Sequence, residues 1–161
     1  MTVELVPTRP DERELFIENL QAAFRRADGT DKFHGEDLPR FFDRINAVLL
    51  NILADKKIVG GAVLILNHTT QRNKLSLFFV NADCRNKGIG LAAWRVIEKL
   101  FPATNVWETS TAWQDKRNLH FYLNKCRFKA VSIYSARHPI QLTDKEIYLA
   151  LEKDMRQWQN I

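Results

Sequence analysis

A chain of 161 residues with 45% hydrophobic and 27% charged side chains has the composition of an ordinary globular protein, large enough for one domain spanning residues 1–161 with its own core. No apolar run reaches the length of a membrane span. The start Met1-Thr2-Val3-Glu4-Leu5 lacks the basic and apolar regions of a signal peptide, so a cytoplasmic protein with no membrane partner is expected. The net charge of +5 is carried by isolated pairs such as Arg25-Arg26, Lys56-Lys57 and Lys116-Arg117 rather than a stripe, which argues against a nucleic-acid partner.

Val3 to Val6 alternates and stops at Pro7, the pattern of a short strand. Pro10-Asp11-Glu12 then opens a helix, and Leu15, Phe16, Leu20, Ala23 and Phe24 recur at helical spacing until Asp28-Gly29-Thr30-Asp31. A second short helix is expected over Asp37–Arg44. The arm of residues 25–45, with its acids Asp28, Asp31, Glu36 and Asp37, is a candidate for recognising a substrate. A plain surface connection is the alternative.

Ala47–Ala54 and Ile58–Leu66 are apolar runs split by Asp55-Lys56-Lys57, which reads as a hairpin. Gly60-Gly61 in the second run implies a bulge or close main-chain packing. Leu75–Val80 is the next strand, Gly90 to about Phe101 a helix closed by Pro102, and Asn105–Thr109 a further strand. Lys116–Cys126 is helical, Phe128–Tyr134 a strand, and Glu146–Lys153 the last. The sum is an α/β sheet, mostly antiparallel, with one parallel pair.

Between the strand Leu75–Val80 and the helix that follows lies Asn81-Ala82-Asp83-Cys84-Arg85-Asn86-Lys87-Gly88-Ile89-Gly90. A turn with two cations and two glycines thus opens into a helix N-terminus, where free N–H groups and the positive end of the dipole favour a phosphate. Three readings of it compete. One is a tight βα turn with solvated cations. Another is a dinucleotide fingerprint, since Gly88-Ile89-Gly90-Leu91-Ala92-Ala93 fits Gly-x-Gly-x-x-Ala and Glu108 follows near the expected ribose-binding position. Against it, Asn81 to Lys87 separate strand from glycine, and the preceding strands look antiparallel. No P-loop sequence is present.

The third reading rests on a resemblance. Arg85-Asn86-Lys87-Gly88-Ile89-Gly90 resembles the Arg/Gln-x-x-Gly-x-Gly/Ala element of the GNAT superfamily of acyl-CoA-dependent N-acetyltransferases. The later segment from Asn118 through Tyr122 to Phe128 is similar to that family's Asn-x-x-x-x-Tyr-x-x-x-Gly-Phe. The resemblance implies a GNAT-like α/β (α+β) fold: a mixed, mostly antiparallel sheet of about seven strands, splayed between the fourth and fifth, with about four flanking helices. It implies acetyl-CoA as cosubstrate, an amine acceptor (small molecule or peptide), and no metal. Dimers are common in such families, so a homodimer is an open alternative.

Under that resemblance Arg85, Asn86, Lys87, Gly88, Ile89 and Gly90 bind the cofactor: the diphosphate sits on the N–H groups of Lys87 to Gly90, with the Arg85 and Lys87 side chains adding charge. The pantetheine arm pairs with main chain at Phe78, Phe79 and Val80. Asn118 contacts the cofactor, and Tyr122 protonates the departing thiolate. Plainer alternatives are a helix-start polar residue for Asn118 and a core aromatic for Tyr122. Glu108 is the best carboxylate available as a base, with ion pairing to a nearby cation as its alternative.

His34, His68, His120 and His138 are scattered and receive no role. The two cysteines, Cys84 and Cys126, suggest neither a disulfide framework nor a metal site. Asn86 and Arg127 stand where the family favours glycine; if Arg127 needs positive φ, the strain is about 1 kcal/mol. Two rival functions remain. One is a non-catalytic acyl-CoA-binding regulatory module, the other an NAD-dependent oxidoreductase.

Overall fold

The computed structural model describes residues 1–25, 46–135 and 147–157. Its seven strands are β1 (Val3–Pro7), β2 (Ala47–Ala54), β3 (Lys57–Ile65), β4 (Arg72–Val80), β5 (Val106–Ala112), β6 (Lys129–Ser135) and β7 (Ile147–Asp154). They are hydrogen-bonded in the order β1-β2-β3-β4-β5-β7-β6. Every ladder described is antiparallel except β4 with β5, which is parallel. The described helices are α1 (Arg13–Ala23), α2 (Ile89–Leu100) and α3 (Lys116–His120). The expected helix at 37–44 and the acidic cluster lie outside the described residues. The chain forms two compact units, Met1–Leu66 with Leu75–Pro102, and Asn67–Lys74 with Ala103–Ile161.

In the first unit, β2 and β3 are joined by Asp55 and Lys56, both left-handed at φ 48° and 70°. That is the two-residue turn whose twist suits a hairpin. The apolar side chains of α1 at helical spacing, Phe16 and Leu20, meet Val63, Leu77 and Phe79 in one core cluster. Phe16 and Phe79 pack edge to face with centroids 5.4 Å apart. α1 ends at Ala23, short of the Asp28 break that its composition suggests. α2 buries Ile89, Ala93, Trp94 and Ile97 and packs against β1. Each large side chain so buried contributes roughly 2–3 kcal/mol.

Both expectations for Gly60-Gly61 hold. Ile52 opposes Gly60 while Leu53 opposes Ile58, so Val59 is an extra residue in β3. Its carbonyl accepts from the Asn81 N–H at 2.7 Å. A Cβ on Gly60 would stand 2.2 Å from the Phe79 carbonyl oxygen, and one on Gly61 2.4 Å from the Phe16 ring. Only glycine lets β3 approach the end of β4 this closely.

In the second unit, β5 is bonded to β7 along its whole length, whereas its ladder with β4 comprises only Arg72–Val106, Asn73–Trp107 and Lys74–Glu108. Asn73 is buried and donates to Thr104 Oγ1 at 2.8 Å. β4 begins three residues before the expected Leu75, and β5 begins one residue after the expected Asn105 but runs three beyond Thr109. α3 gives way after one turn to a π-helical turn over Phe121–Lys125, closed by Cys126 N–H to Phe121 O at 2.9 Å. The sequence reads this stretch as continuous α-helix, because no residue type marks a π turn.

Candidate active site

The cradle belongs to the first unit. After β4, Ala82–Cys84 form a single 3-10 turn. Asn86 then adopts φ 64° and Gly88 φ 78°, so two left-handed residues flank Lys87. Alternation of this kind turns successive N–H groups toward a common point, the concavity that binds anions. Asparagine is the side chain that best tolerates such a φ, which explains why Asn86 serves where glycine is frequent. Nothing lies within 4 Å of where a Cβ on Gly88 would stand. Glycine is thus required there by backbone angle, and the space beside it is open to a ligand.

Main-chain bonding at this bend is incomplete. The first bond into α2 is Ala92 N–H to Gly88 O at 3.1 Å. Among the described residues, the N–H groups of Asn86, Lys87, Gly88, Ile89 and Gly90 meet no protein acceptor. Five donors at a helix N-terminus fit a diphosphate.

The two cations of the turn differ. Arg85 is turned back onto the protein: its guanidinium donates to Ala23 O at 2.7 Å and to Val80 O at 3.4 Å. This corrects the expectation that both cations face the phosphate, since Arg85 fastens the end of α1 to the end of β4. Lys87 remains the exposed cation of the bend. Burial and a contact with Asp83 raise the Cys84 thiol pKa, only partly opposed by Lys87, which favours the protonated thiol.

Phe78 and Phe79 are buried by their side chains, and with Val80 they lie beyond the last β4–β5 pair at Lys74–Glu108. Their main chain therefore has no β5 ladder partner. Ile89 is likewise buried by its side chain while its N–H is part of the cradle.

The remaining candidates belong to the second unit. Tyr122 lies within the π turn, 6% exposed. Its ring meets Phe121 at 5.3 Å and Phe128 at 5.7 Å, both edge to face. Burial holds its pKa well above the usual phenol value, with Cys126 and Asp115 adding to the rise and the Thr109 side chain on β5 opposing it. Tyr122 is therefore held neutral, and it is the core aromatic of the plainer alternative.

Asn118 is drawn into a cap. Asp115 precedes α3 and accepts from Asn118 N–H at 3.1 Å and from Asn118 Nδ2 at 2.9 Å. The amide donor is thus partly engaged, while Oδ1 is left for other partners. The cap was missed in the sequence, although an acid three residues before a polar helix-start position is a recognisable signal.

Glu108 bonds Arg72 Nε at 2.9 Å. Arg72 also bonds Glu152, which stands directly opposite Glu108 across the β5–β7 ladder. The guanidinium thus neutralises two like charges that would otherwise repel. The ion pair foreseen as an alternative is present. Arg127 has φ 68°, so the left-handed conformation served by glycine in the family pattern is retained here by an arginine.

The described strands form a mixed seven-stranded sheet with one parallel pair, and a glycine-bearing bend follows the fourth of them. The model of the acetyltransferase (GNAT) family matches residues 13–128, and the chain belongs to that family. Over 102 residues it is 45% identical to the uncharacterized protein YrkN of Bacillus subtilis (strain 168), a match covering 63% of this chain and 55% of YrkN. The chain thus spans little more than half the length of that relative.

Among solved structures, a chimeric spermidine N-acetyltransferase SpeG from Vibrio cholerae superposes with a TM-score of 0.78 at 13% identity, all of both chains being covered. The ribosomal-protein-S18-alanine N-acetyltransferase of Escherichia coli gives 0.72 at 10% identity, covering 95% of this chain and 94% of that one. A Bacillus anthracis protein assigned as a streptothricin acetyltransferase, solved with acetyl coenzyme A, gives 0.70 at 14%, covering 96% and 99%. At these identities the likeness is one of fold.

Proposed function

We propose that this protein transfers the acetyl group of acetyl-CoA to a primary amine by direct attack. The observation that carries the reading is the run of unpaired N–H groups from Asn86 to Gly90. Five main-chain donors beside an exposed lysine match a diphosphate better than any neutral ligand. The family supplies the chemistry, and its solved relatives are named for amines as different as a polyamine and an alanine of a ribosomal protein. The acceptor class here is correspondingly an amine of a small molecule or peptide.

In the proposed reaction the amine nitrogen forms a bond to the thioester carbonyl carbon, and the carbon–sulfur bond breaks with its electrons left on sulfur. Tyr122 gives that thiolate its proton. The surplus proton of the new amide passes to water, which suffices for an amine that enters uncharged. Glu108, engaged by Arg72, is retained as the candidate base only for a reaction in which that pair opens. Main chain at Phe78 to Val80 and the Asn118 side chain are assigned to the pantetheine portion. We place all of this in one domain, 1–161, because β4 runs through both compact units, and in the cytoplasm, as the start of the sequence suggests.

A second reading has an observation of its own. Tyr122 is buried and Glu108 is ion-paired, so the named catalytic groups are both engaged, as in a module that binds acyl-CoA without turning it over. Calorimetric titration with acetyl-CoA, followed by thiol release across an amine panel, separates the two. Micromolar binding with turnover supports the enzyme; the same binding without turnover supports the module. Gly88→Asp is expected to weaken acetyl-CoA binding by about a hundred-fold, since it puts a carboxylate where the diphosphate lies. Equal binding by that variant would remove the cradle assignment. Tighter binding of NAD than of coenzyme A would favour an oxidoreductase.

A further inference from the structure

Asp115 is anchored on both sides of its carboxylate. Its N–H bonds the carbonyl of Ala112, the last residue of β5, at 3.0 Å, and its own carbonyl accepts from Leu119 N–H at 3.0 Å. The side chain then commits both oxygens to a single residue. Oδ1 accepts from Asn118 N–H at 3.1 Å, and Oδ2 accepts from Asn118 Nδ2 at 2.9 Å. The first contact is a helix cap. The second is not needed by the helix, because a cap requires only one acceptor; its effect falls on the carboxamide. An asparagine amide can be turned over, exchanging oxygen for nitrogen, and its neighbours decide which end points where. A carboxylate only accepts, so Nδ2 faces Asp115 and Oδ1 is kept off it by charge. Asn118 is partly buried, and among the described residues its Oδ1 has no partner. The amide oxygen is therefore fixed as an acceptor before any ligand arrives.

We propose that Asp115 is a positioning residue of the acyl-CoA site, turning the Asn118 carboxamide so that its oxygen, not its nitrogen, meets an amide N–H of the pantetheine arm. This inference rests on the reading that assigns Asn118 to that arm. The arm offers amide N–H donors, for which an oxygen is the complement and a second N–H is not. Both Asp115 oxygens are already engaged, so the residue acts through Asn118 and not on the ligand. A carboxamide held this way has little rotational freedom left to lose on binding, whereas an unclamped one must first select its productive face.

The test titrates the full chain with two probes, acetyl-CoA and 3′-phospho-ADP, which keeps the diphosphate of the cofactor and lacks its pantetheine. Asp115→Asn preserves a cap for the Asn118 N–H, since asparagine caps as well as aspartate, but it sets an N–H opposite Asn118 and so turns that amide over. It is expected to leave the urea midpoint and 3′-phospho-ADP binding unchanged and to weaken acetyl-CoA binding about ten-fold. Asp115→Ser, a cap with no second oxygen, is expected to weaken it about three-fold. Asn118→Ala is expected to weaken acetyl-CoA binding about ten-fold by itself and to abolish the effect of Asp115→Asn in the double variant. Full acetyl-CoA binding by Asp115→Asn and Asp115→Ser, with weak binding by Asn118→Ala, overturns the positioning role and leaves the Asn118 contact standing. Full binding by Asn118→Ala overturns both. A loss in Asp115→Asn that persists undiminished in the Asn118→Ala background, or that extends equally to 3′-phospho-ADP, makes Asp115 a structural cap only and overturns the proposal. A wild type that binds neither probe overturns the function on which the inference rests.

Discussion

The bend at Asn86–Gly90 and the pocket of side chains around Tyr122 are built on opposite plans. The bend is made of main chain, its donors from Asn86 to Gly90 have no acceptors among the described residues, and its one glycine with positive φ faces open space. Around Tyr122 the groups are side chains, packed and capped, from the buried Phe128 ring to the Asp115 carboxylate. An anion site can stay unsatisfied because water serves its amides until the ligand comes. A buried hydroxyl has no such recourse and must be paired within the protein. Cradle function therefore depends on backbone angles and tolerates most side-chain changes, whereas the Tyr122 cluster depends on side-chain identity.

That contrast can be broken first through the frame that carries the bend. Gly60→Ala would place a methyl carbon 2.2 Å from the Phe79 carbonyl, and the loss of stability is expected to be about 3 kcal/mol, read as a lowered midpoint in urea. Unchanged stability would mean that β3 and β4 are less tightly seated than described.

A pH scan sharpens the other side. Burial raises the Tyr122 pKa above that of the unfolded chain, so above about pH 10 the unfolded state binds fewer protons than the folded one. Stability from this group is fully present below that pH and is lost as pH rises, by up to about 1.4 kcal/mol per unit. The gap between wild type and Tyr122→Phe in thermal midpoint is expected to shrink over that range. A gap independent of pH would place the phenol in contact with water.

Smaller effects follow at the margins of the Tyr122 cluster. Arg127→Gly relieves a left-handed arginine and is expected to raise stability by up to about 1 kcal/mol, less the entropy that glycine gains in the unfolded chain. Glu108→Gln removes a half-exposed ion pair but also a carboxylate facing Glu152. Its effect on stability is expected to stay below about 1 kcal/mol. A fall in kcat well beyond that small change would identify Glu108 as the base.

The two plans also explain what could be read from residues alone. The bend at Asn86 and Gly88 is legible because left-handed backbone angles restrict residue type. Gly60-Gly61 is legible because close main-chain packing restricts it too, and the positive φ of Arg127 is foreseen from the family pattern. The orientation of Arg85 is not, because its partner Ala23 lies 62 positions away and any carbonyl would serve. The π turn leaves no compositional mark. What depends on a rare local conformation shows in the sequence; what depends on a distant partner does not.

Arg85 joins two places that the chain order keeps apart. By holding the last carbonyl of α1 from the bend after β4, it makes the end of that helix and the end of that strand a single mechanical piece. Whatever stiffens one steadies the other, so releasing the arginine would loosen both ends together and register as faster amide exchange at the two sites.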